Sequence, residues 1–263
     1  MIYWQPIALK SGEEYHWKIG PLHIWIKRTT DEWLLAYEQK AKDSTGAEIV
    51  VARHRKKPES LSWNRFIFKS QSNLIQLIPV MQDRAIVVSS ENPVKILPRN
   101  RTLFFIDIPV WIRIYVGETK EAILTELQTV ILSNTWFGDP MSGELCYSLN
   151  TKAHRSINEV SISTLKAICP VWVMNSSSEH LDFQKLCIRA EHLRVYEGKN
   201  RLWTNDVYIK FFGEDQPNEV DFSNKEPPFE EGCRLLSEER KPVDRSILKK
   251  SISILKYFTR FEY

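Results

Sequence analysis

Two carboxylates on either side of a short glycine-containing turn are the residues best placed for chemistry in this sequence. Asp139 precedes Pro140 and Glu144 follows Gly143, within the segment TWFGDPMSGEL. Such a turn can bring two carboxylates together, as acid–base hydrolysis requires. Aspartate before proline is also typical of a structural turn, in which its side chain bonds to the turn's own backbone. Two hypotheses follow: a hydrolase or metal-dependent enzyme that uses Asp139 and Glu144, or a turn that contacts a partner through them.

The histidines and cysteines do not follow the spacings of known metal sites. Six histidines are scattered along the chain without an HxH or HxxH pair. The four cysteines form no CxxC pair and are typical of small core residues in a reducing compartment, which predicts a cytoplasmic protein; they are Cys146, Cys169, Cys187 and Cys233. The sequence also contains no nucleophile elbow, Walker loop or dinucleotide fingerprint. We therefore expect neither a metal nor a cofactor.

Four of the tryptophans are placed where their rings could have a defined role. Ile108-Pro109-Val110-Trp111 is echoed by Cys169-Pro170-Val171-Trp172. This echo predicts that Trp111 and Trp172 are core anchors of two similar halves. Trp136 and Trp203 stand beside turns and are better candidates for exposed rings that contact a partner.

Length and charge limit the classes of function. The chain has 263 residues, 43% of them hydrophobic, which is enough for a substantial core. Residues 238–263 hold seven Lys/Arg and four Asp/Glu, so the whole net charge of +3 lies there and the rest of the chain is balanced. A balanced body argues against nucleic acid as a partner. We find no apolar run long enough to span a bilayer and no signal-peptide pattern at the N-terminus.

Short aromatic and β-branched segments separated by polar turns predict an all-β protein. Leu22–Ile26 with Trp33–Tyr37, and Leu193–Tyr196 with Leu202–Trp203, are each typical of a β-hairpin. About 15 strands follow from this pattern, arranged as a tandem or extended antiparallel β-sandwich with immunoglobulin-like halves. The expected regions are 1–152, 153–222, and a final 223–263 that combines a linker with a helix.

The C-terminal segment predicts one amphipathic helix, from about Asp244 to Phe261. Its apolar residues fill one half of a helical wheel, and Lys249, Lys256 and Arg260 lie on the far side. An interfacial helix would carry its basic residues near the boundary between the faces. We therefore expect Ile247, Leu255 and Phe258 to pack on protein, either on the same chain or on a second copy.

Several segments, taken in order, resemble a known family. They are DRAIVVSSENPVKILP (83–98), LFFIDIPVWIRIYVG (103–117), LSNTWFGDPMSGELCYSL (132–149), CPVWVMNSSSEHLDFQKLCIRAEHLRVY (169–196) and LWTNDVYIKF (202–211). Together they are similar to a prokaryotic domain-of-unknown-function family, number 432, over most of residues 1–220. The segment around TWFGDP is the most specific part. The resemblance implies no activity, substrate or cofactor. Some members are encoded next to small-conductance mechanosensitive channels, which makes a membrane protein a candidate neighbour.

These observations favour a non-enzymatic cytoplasmic interaction module over the hydrolase or metal-dependent enzyme. We expect a protein partner or self-association. The candidate contact residues are Trp136, Asp139, Glu144, Trp203, Ile247, Leu255 and Phe258.

Overall fold

The structure is a computed structural model that describes residues 2–40, 49–68, 72–118, 122–138, 140–141, 143–151, 153–213, 216 and 218–243. Within these ranges it is all-β, as the sequence predicts, with twenty strands and three short 3₁₀ turns. The strands are β1 (Ile7–Ala8), β2 (Glu14–Ile19), β3 (Leu22–Arg28), β4 (Trp33–Gln39), β5 (Ile49–Arg53), β6 (Asn64–Phe66), β7 (Leu74–Val80), β8 (Ile86–Ile96), β9 (Arg101–Pro109), β10 (Trp111–Val116), β11 (Ala122–Gln128), β12 (Asn134–Phe137), β13 (Glu144–Thr151), β14 (Lys166–Asn175), β15 (Leu181–Ile188), β16 (Val195–Glu197), β17 (Leu202–Thr204), β18 (Val207–Phe211), β19 (Glu219–Phe222) and β20 (Arg234–Ser237). The 3₁₀ turns are Ile2–Trp4, Ile157–Glu159 and Ala190–His192.

The chain forms two compact units that interleave along the sequence. The first contains residues 1–80, 109–131 and 163–165, and the second contains residues 81–108, 132–162 and 166–263. This division differs from the sequence-based boundaries at 152/153 and 222/223. Distant segments of the chain complete each unit, and the sequence-based boundaries stay a prediction.

The first unit contains two sheets. One has the strand order β1-β7-β10-β11 and the other has the order β5-β2-β3-β4-β6, and every pair in both sheets is antiparallel. The predicted β3–β4 hairpin is confirmed, with Trp25 opposite Ala36. Burial is continuous rather than alternating in the centre of these sheets, where Leu22–Ile26 of β3 are all buried.

The second unit also contains two sheets, and three of its strand pairs are parallel. One sheet has the order β12-β13-β8-β15, in which β13 runs parallel to β8. The other has β19-β18-β14-β17-β16-β20, with β9 also paired to β14, and β14 runs parallel to both β17 and β18. The expectation of a wholly antiparallel architecture is therefore wrong. Parallel pairs need long crossover connections, which local strand patterns do not reveal. The immunoglobulin-like arrangement stays a prediction.

Residues 218–243 are built into the second unit, although their polar and proline-dotted composition predicts a linker. β19 pairs with β18, and β20 pairs with β16. Between these strands, the Phe229 ring stacks on Trp203 with their centroids 5.9 Å apart. A few apolar and carboxylate residues at the right places are sufficient to anchor such a segment.

The two Pro-Val-Trp segments share one burial pattern, in which the valines rather than the tryptophans are the core residues. Val110 and Val171 are completely buried, whereas Trp111 and Trp172 are only half-buried. Neighbouring residues in a strand face opposite sides of the sheet, so the valine takes the core position and the tryptophan the other face. The prediction that both rings are core anchors is wrong.

The predicted C-terminal helix, 244–261, lies outside the described residues. Within the described ranges, no helix has both the length and the apolar character needed to cross a membrane.

Candidate functional site

The β12–β13 hairpin carries the turn that the sequence singles out, and its two faces differ in character. The strands are antiparallel, with Trp136 opposite Leu145 and Phe137 opposite Glu144. β12 is the edge strand of its sheet. At the turn, Gly138 has a φ of 103°, and an added Cβ would lie 3.0 Å from Gly143 Cα. Glycine is therefore required at position 138 by both its backbone angle and the close approach.

The outer face of the hairpin exposes large apolar side chains. Trp136 and Leu145 form a directly opposed cross-strand pair and are 53% and 48% exposed. Met141, in the turn, is 93% exposed. We name these three residues the hairpin patch. Exposed apolar side chains that lie opposite each other, as Trp136 and Leu145 do, are typical of interaction surfaces.

The inner face of the hairpin belongs to a small buried cluster. Phe137 and Cys146 pack there with Ala85 and Val87 of the central part of the sheet and with Cys187. The alternation of the strand explains this division, because Thr135 and Phe137 face one side while Asn134 and Trp136 face the other. The inner face of the hairpin is thus packed in the buried cluster, whereas its outer face is exposed.

Glu144 and the two cysteines of this cluster form a compact group. One carboxylate oxygen of Glu144 and the Sγ atoms of Cys146 and Cys187 all lie within 4.8 Å of one another. Arg189 Nη1 donates to Glu144 Oε2. A hydrogen bond between the two thiols lowers the pKa of Cys146 and, together with burial, raises the pKa of Cys187. Glu144 is therefore an inner-face residue held by Arg189, and its carboxylate does not belong to the hairpin patch.

A second surface lies on the seven-stranded sheet of the second unit. It is a shallow groove of about 240 Å³. The guanidinium of Arg101 lies 5.2 Å from the centroid of the Trp172 ring, and Tyr208, opposite Trp172 on β18, is 45% exposed. The full lining is Arg101, Trp172, Met174, Tyr208, Ile209, Lys210, Glu219 and Asp221. Its two cations and two anions balance in formal charge.

Asp206 fixes the two aromatic rings of the groove. Its Oδ2 accepts hydrogen bonds from Trp172 Nε1 at 3.0 Å and from Tyr208 Oη at 3.4 Å. Asp206 is 2% exposed, and this burial raises the pKa of its carboxyl group, although the two hydrogen bonds oppose the change. Asp206 acts by holding Trp172 and Tyr208 in place.

The sequence-predicted contact residues differ in their burial, and some of them lie outside the described residues. Trp136 is exposed, as expected. Trp203 is 1% exposed, and its Nε1 donates to Glu230 Oε2 at 2.7 Å, so the expected exposed ring at this position is wrong. The cause is Phe229 and Glu230, which contact the ring from a segment whose composition predicts a linker. Asp139 lies outside the described residues, as do the tail positions Ile247, Leu255 and Phe258.

Two functional groupings escape prediction from the sequence. A Glu-x-Cys spacing at 144 and 146 puts both side chains on one face of a strand, which is a usable signal. The third member, Cys187, is 41 residues further along the chain, and no local pattern joins it to the other two. The groove likewise combines side chains from four strands, and β9 and β14 lie far from the β18–β19 pair in the sequence.

Comparison with known families agrees with the sequence resemblance. A family model described as "Protein of unknown function (DUF432)" matches residues 3–256. Comparisons with curated proteins and with solved structures found no match. The family model covers nearly the whole chain, including the TWFGDP turn and the strands that frame it. The chain therefore belongs to the DUF432 family of proteins of unknown function.

Proposed function

We propose that this chain is a non-enzymatic interaction module that binds a protein partner through the hairpin patch. The observation that supports this proposal is the directly opposed pair Trp136 and Leu145, about half exposed on an edge hairpin whose other face is buried. The partner that we propose is a different protein, and self-association is an outcome of the test.

The energetics of the patch favour binding to an apolar surface. Burying a large apolar side chain completely contributes about 1.5–3 kcal/mol. Trp136 and Leu145 have about half of that contribution still available, and Met141 has almost all of it. Tryptophan is also enriched among residues that dominate protein–protein interfaces. Trp136 and Leu145 lie on paired strands, so binding costs their backbone little conformational entropy.

The arrangement around Glu144 favours an interaction module over the acid–base hypothesis. A general acid or base needs a carboxyl group that can reach the reacting proton. The Glu144 carboxylate is instead engaged by Arg189, on the hairpin face opposite Trp136. The groove on the other sheet of the second unit is lined by aromatic and charged side chains, and its Glu219 carboxylate lies 3.7 Å from Lys210 Nζ.

The C-terminal tail is proposed as a second docking element. An amphipathic helix over residues 244–261 would place Ile247, Leu255 and Phe258 on one apolar face. We propose that this face packs on protein, because a helical wheel would place the three cations Lys249, Lys256 and Arg260 on the opposite side. A cytoplasmic location and a membrane channel as neighbour are consistent with this proposal, and the channel is suggested by the family resemblance.

Affinity capture with matched variants tests the proposal. The full-length chain, Trp136→Ala and Leu145→Ala are immobilised and compared for the proteins that they retain from native lysate. Tyr37→Ala is the control, because Tyr37 is a large side chain on a strand of the first unit with 47% exposure. We expect at least one protein to be retained by the wild type and by Tyr37→Ala, with a roughly tenfold or greater loss for both patch variants. Equal retention by all four chains would contradict the proposal.

A further inference from the structure

The inner face of the hairpin offers the ligand types that a soft or borderline metal ion requires. Glu144 and Cys146 are two residues apart on β13, so they share one face of the strand, and Cys187 reaches the same point from β15. β8 lies between the two strands in the sheet. The three ligand atoms lie within 4.8 Å of one another. Three ligands from two non-adjacent strands therefore meet at one point.

We propose that Glu144, Cys146 and Cys187 form a zinc-binding site that joins β13 to β15 beneath the hairpin patch. Zinc takes thiolate sulfur at about 2.3 Å and carboxylate oxygen at about 2.0–2.2 Å in tetrahedral geometry. Tetrahedral ligands at those distances lie about 3.5–3.8 Å from one another. The three side chains would need to close by about 1 Å, which small side-chain rotations supply. Water would complete the fourth position.

The charges around the group suit a divalent cation bound by two thiolates. Two thiolates and one carboxylate carry three negative charges, so a Zn²⁺ ion leaves one, which the Arg189 guanidinium balances. Arg189 binds one oxygen of the Glu144 carboxylate and orients it. Such orienting hydrogen bonds commonly accompany metal ligands. Binding releases the thiol protons to the solvent as the two sulfurs become thiolates.

Two buried polar atoms beside the group have no hydrogen-bond partner in the part of the chain that the structure describes. Arg189 Nε and Glu191 Oε2 are both buried, and neither has a hydrogen-bond partner among the described residues. Glu191 is 6% exposed, and its charge acts on both Cys146 and Arg189. A buried polar atom without a partner calls for an explanation, and an ion bound nearby is one such explanation.

The choice of zinc follows from the ligand set. Thiolates favour Zn²⁺ over Mg²⁺ and Ca²⁺, which prefer oxygen ligands, and the carboxylate is compatible with Zn²⁺. The other two cysteines lack such surroundings. Among the described residues, neither Cys169 nor Cys233 belongs to a group of three side chains with metal-ligand atoms. Cys233 is half-buried, so it is the more suitable control position.

Metal titration of the full-length protein under reducing conditions tests the site. Cobalt(II) replaces zinc as a spectroscopic probe, and we expect thiolate-to-cobalt charge-transfer bands together with the visible bands of tetrahedral cobalt. Zinc alone should bind at one ion per chain and displace the cobalt, whereas Mg²⁺ should not. We expect Cys146→Ser and Cys187→Ser each to weaken zinc binding at least a hundredfold. Cys233→Ser should bind like the wild type.

The wild-type spectrum decides the proposal even if a serine variant fails to fold. Absence of the charge-transfer bands in the wild type would overturn it, as would bands that persist in both Cys146→Ser and Cys187→Ser. Glu144→Gln keeps both thiols, so it should retain the charge-transfer bands while binding zinc more weakly. Unchanged zinc affinity in Glu144→Gln would remove Glu144 from the ligand set and overturn the three-ligand site.

Discussion

At the scale of single residues, Glu230 shows how one side chain anchors a segment of unremarkable composition. Its Oε2 accepts from Trp203 Nε1 at 2.7 Å, and its Oε1 accepts from the backbone N–H of Lys199. The carboxylate lies directly against Gly198, where an added Cβ would be 2.6 Å from Glu230 Cδ. Gly198 therefore leaves room for the carboxylate that satisfies a buried indole N–H.

Gly198→Ala tests this arrangement. The new methyl group would displace the Glu230 carboxylate and break the hydrogen bond to the buried Trp203, which should cost about 1–2 kcal/mol of unfolding free energy. In a Glu230→Ala background the same glycine substitution should cost less than about 0.5 kcal/mol. Urea denaturation of the four proteins measures both values, and equal costs in the two backgrounds would show that Glu230 is not the reason for the glycine.

The buried histidine pair of the first unit predicts a pH dependence. His16 Nε2 and His23 Nδ1 lie 3.0 Å apart, and the two side chains are 0% and 6% exposed. Burial, assisted by the cation of Arg55, lowers the pKa of His16 from 6.5 to about 4, and burial also lowers the pKa of His23. Between pH 6.5 and about pH 4 the unfolded chain therefore binds more protons than the folded chain. Stability contributed by the neutral pair is thus present above pH 6.5 and is lost as the pH falls toward 4.

We expect the unfolding free energy to fall by on the order of 2–3 kcal/mol as the pH is lowered through this window. Urea denaturation at several pH values measures the slope. His16→Gln should reduce the slope, whereas His180→Gln should not, because His180 is exposed. A slope that His16→Gln leaves unchanged would assign the pH dependence to other groups.

At the level of elements, two neighbouring residues of β12 should differ in how much their substitution destabilises the fold. Phe137 is 8% exposed in the inner cluster, so Phe137→Ala should cost about 3 kcal/mol through the cavity that it leaves. Trp136 is 53% exposed, and Trp136→Ala should change stability by less than about 1 kcal/mol. Thermal or urea denaturation compares the two variants. A large loss for Trp136→Ala would mean that its ring serves the fold rather than a partner.

Local elements are predictable from this sequence, whereas long-range pairing is not. The β3–β4 and β16–β17 hairpins follow from adjacent aromatic and β-branched runs, and both are confirmed. The parallel pairing of β13 with β8 joins residues about sixty positions apart, and nothing in either strand specifies it. The same limit explains Trp203, whose burial depends on Glu230 in a segment that composition alone assigns to a linker.

At the scale of the whole molecule, the C-terminal segment can be divided at a defined point. Residues up to 243 belong to the folded body, because Arg194 bonds to Glu239 and the Lys241 backbone N–H donates to Glu191 O at 3.0 Å. Residues beyond this point carry the proposed helix and four of the five remaining Lys/Arg in two clusters, at 249–250 and 256–260. A deletion should therefore remove residues 244–263 only.

We expect this deletion to leave the body folded and to change either its oligomeric state or the apolar surface that it exposes. A helix that packs on protein contributes to one of these, because its large apolar residues are buried against the same chain or a second copy. Light scattering and binding of a hydrophobic dye measure the two outcomes. If the deleted protein stays monomeric and unchanged in dye binding but no longer floats with liposomes, the helix binds lipid and the docking proposal is wrong.

Site-specific photo-crosslinking in cells tests whether a protein partner binds the hairpin patch. A photoreactive phenylalanine derivative is placed at position 136 in one full-length protein and at position 37 in another. These two positions are similarly exposed, on different units of the chain. We predict a discrete protein adduct from position 136 that is absent from position 37 and that Leu145→Ala weakens. No adduct at position 136, or the same adducts from both positions, would contradict binding of a partner at the hairpin patch.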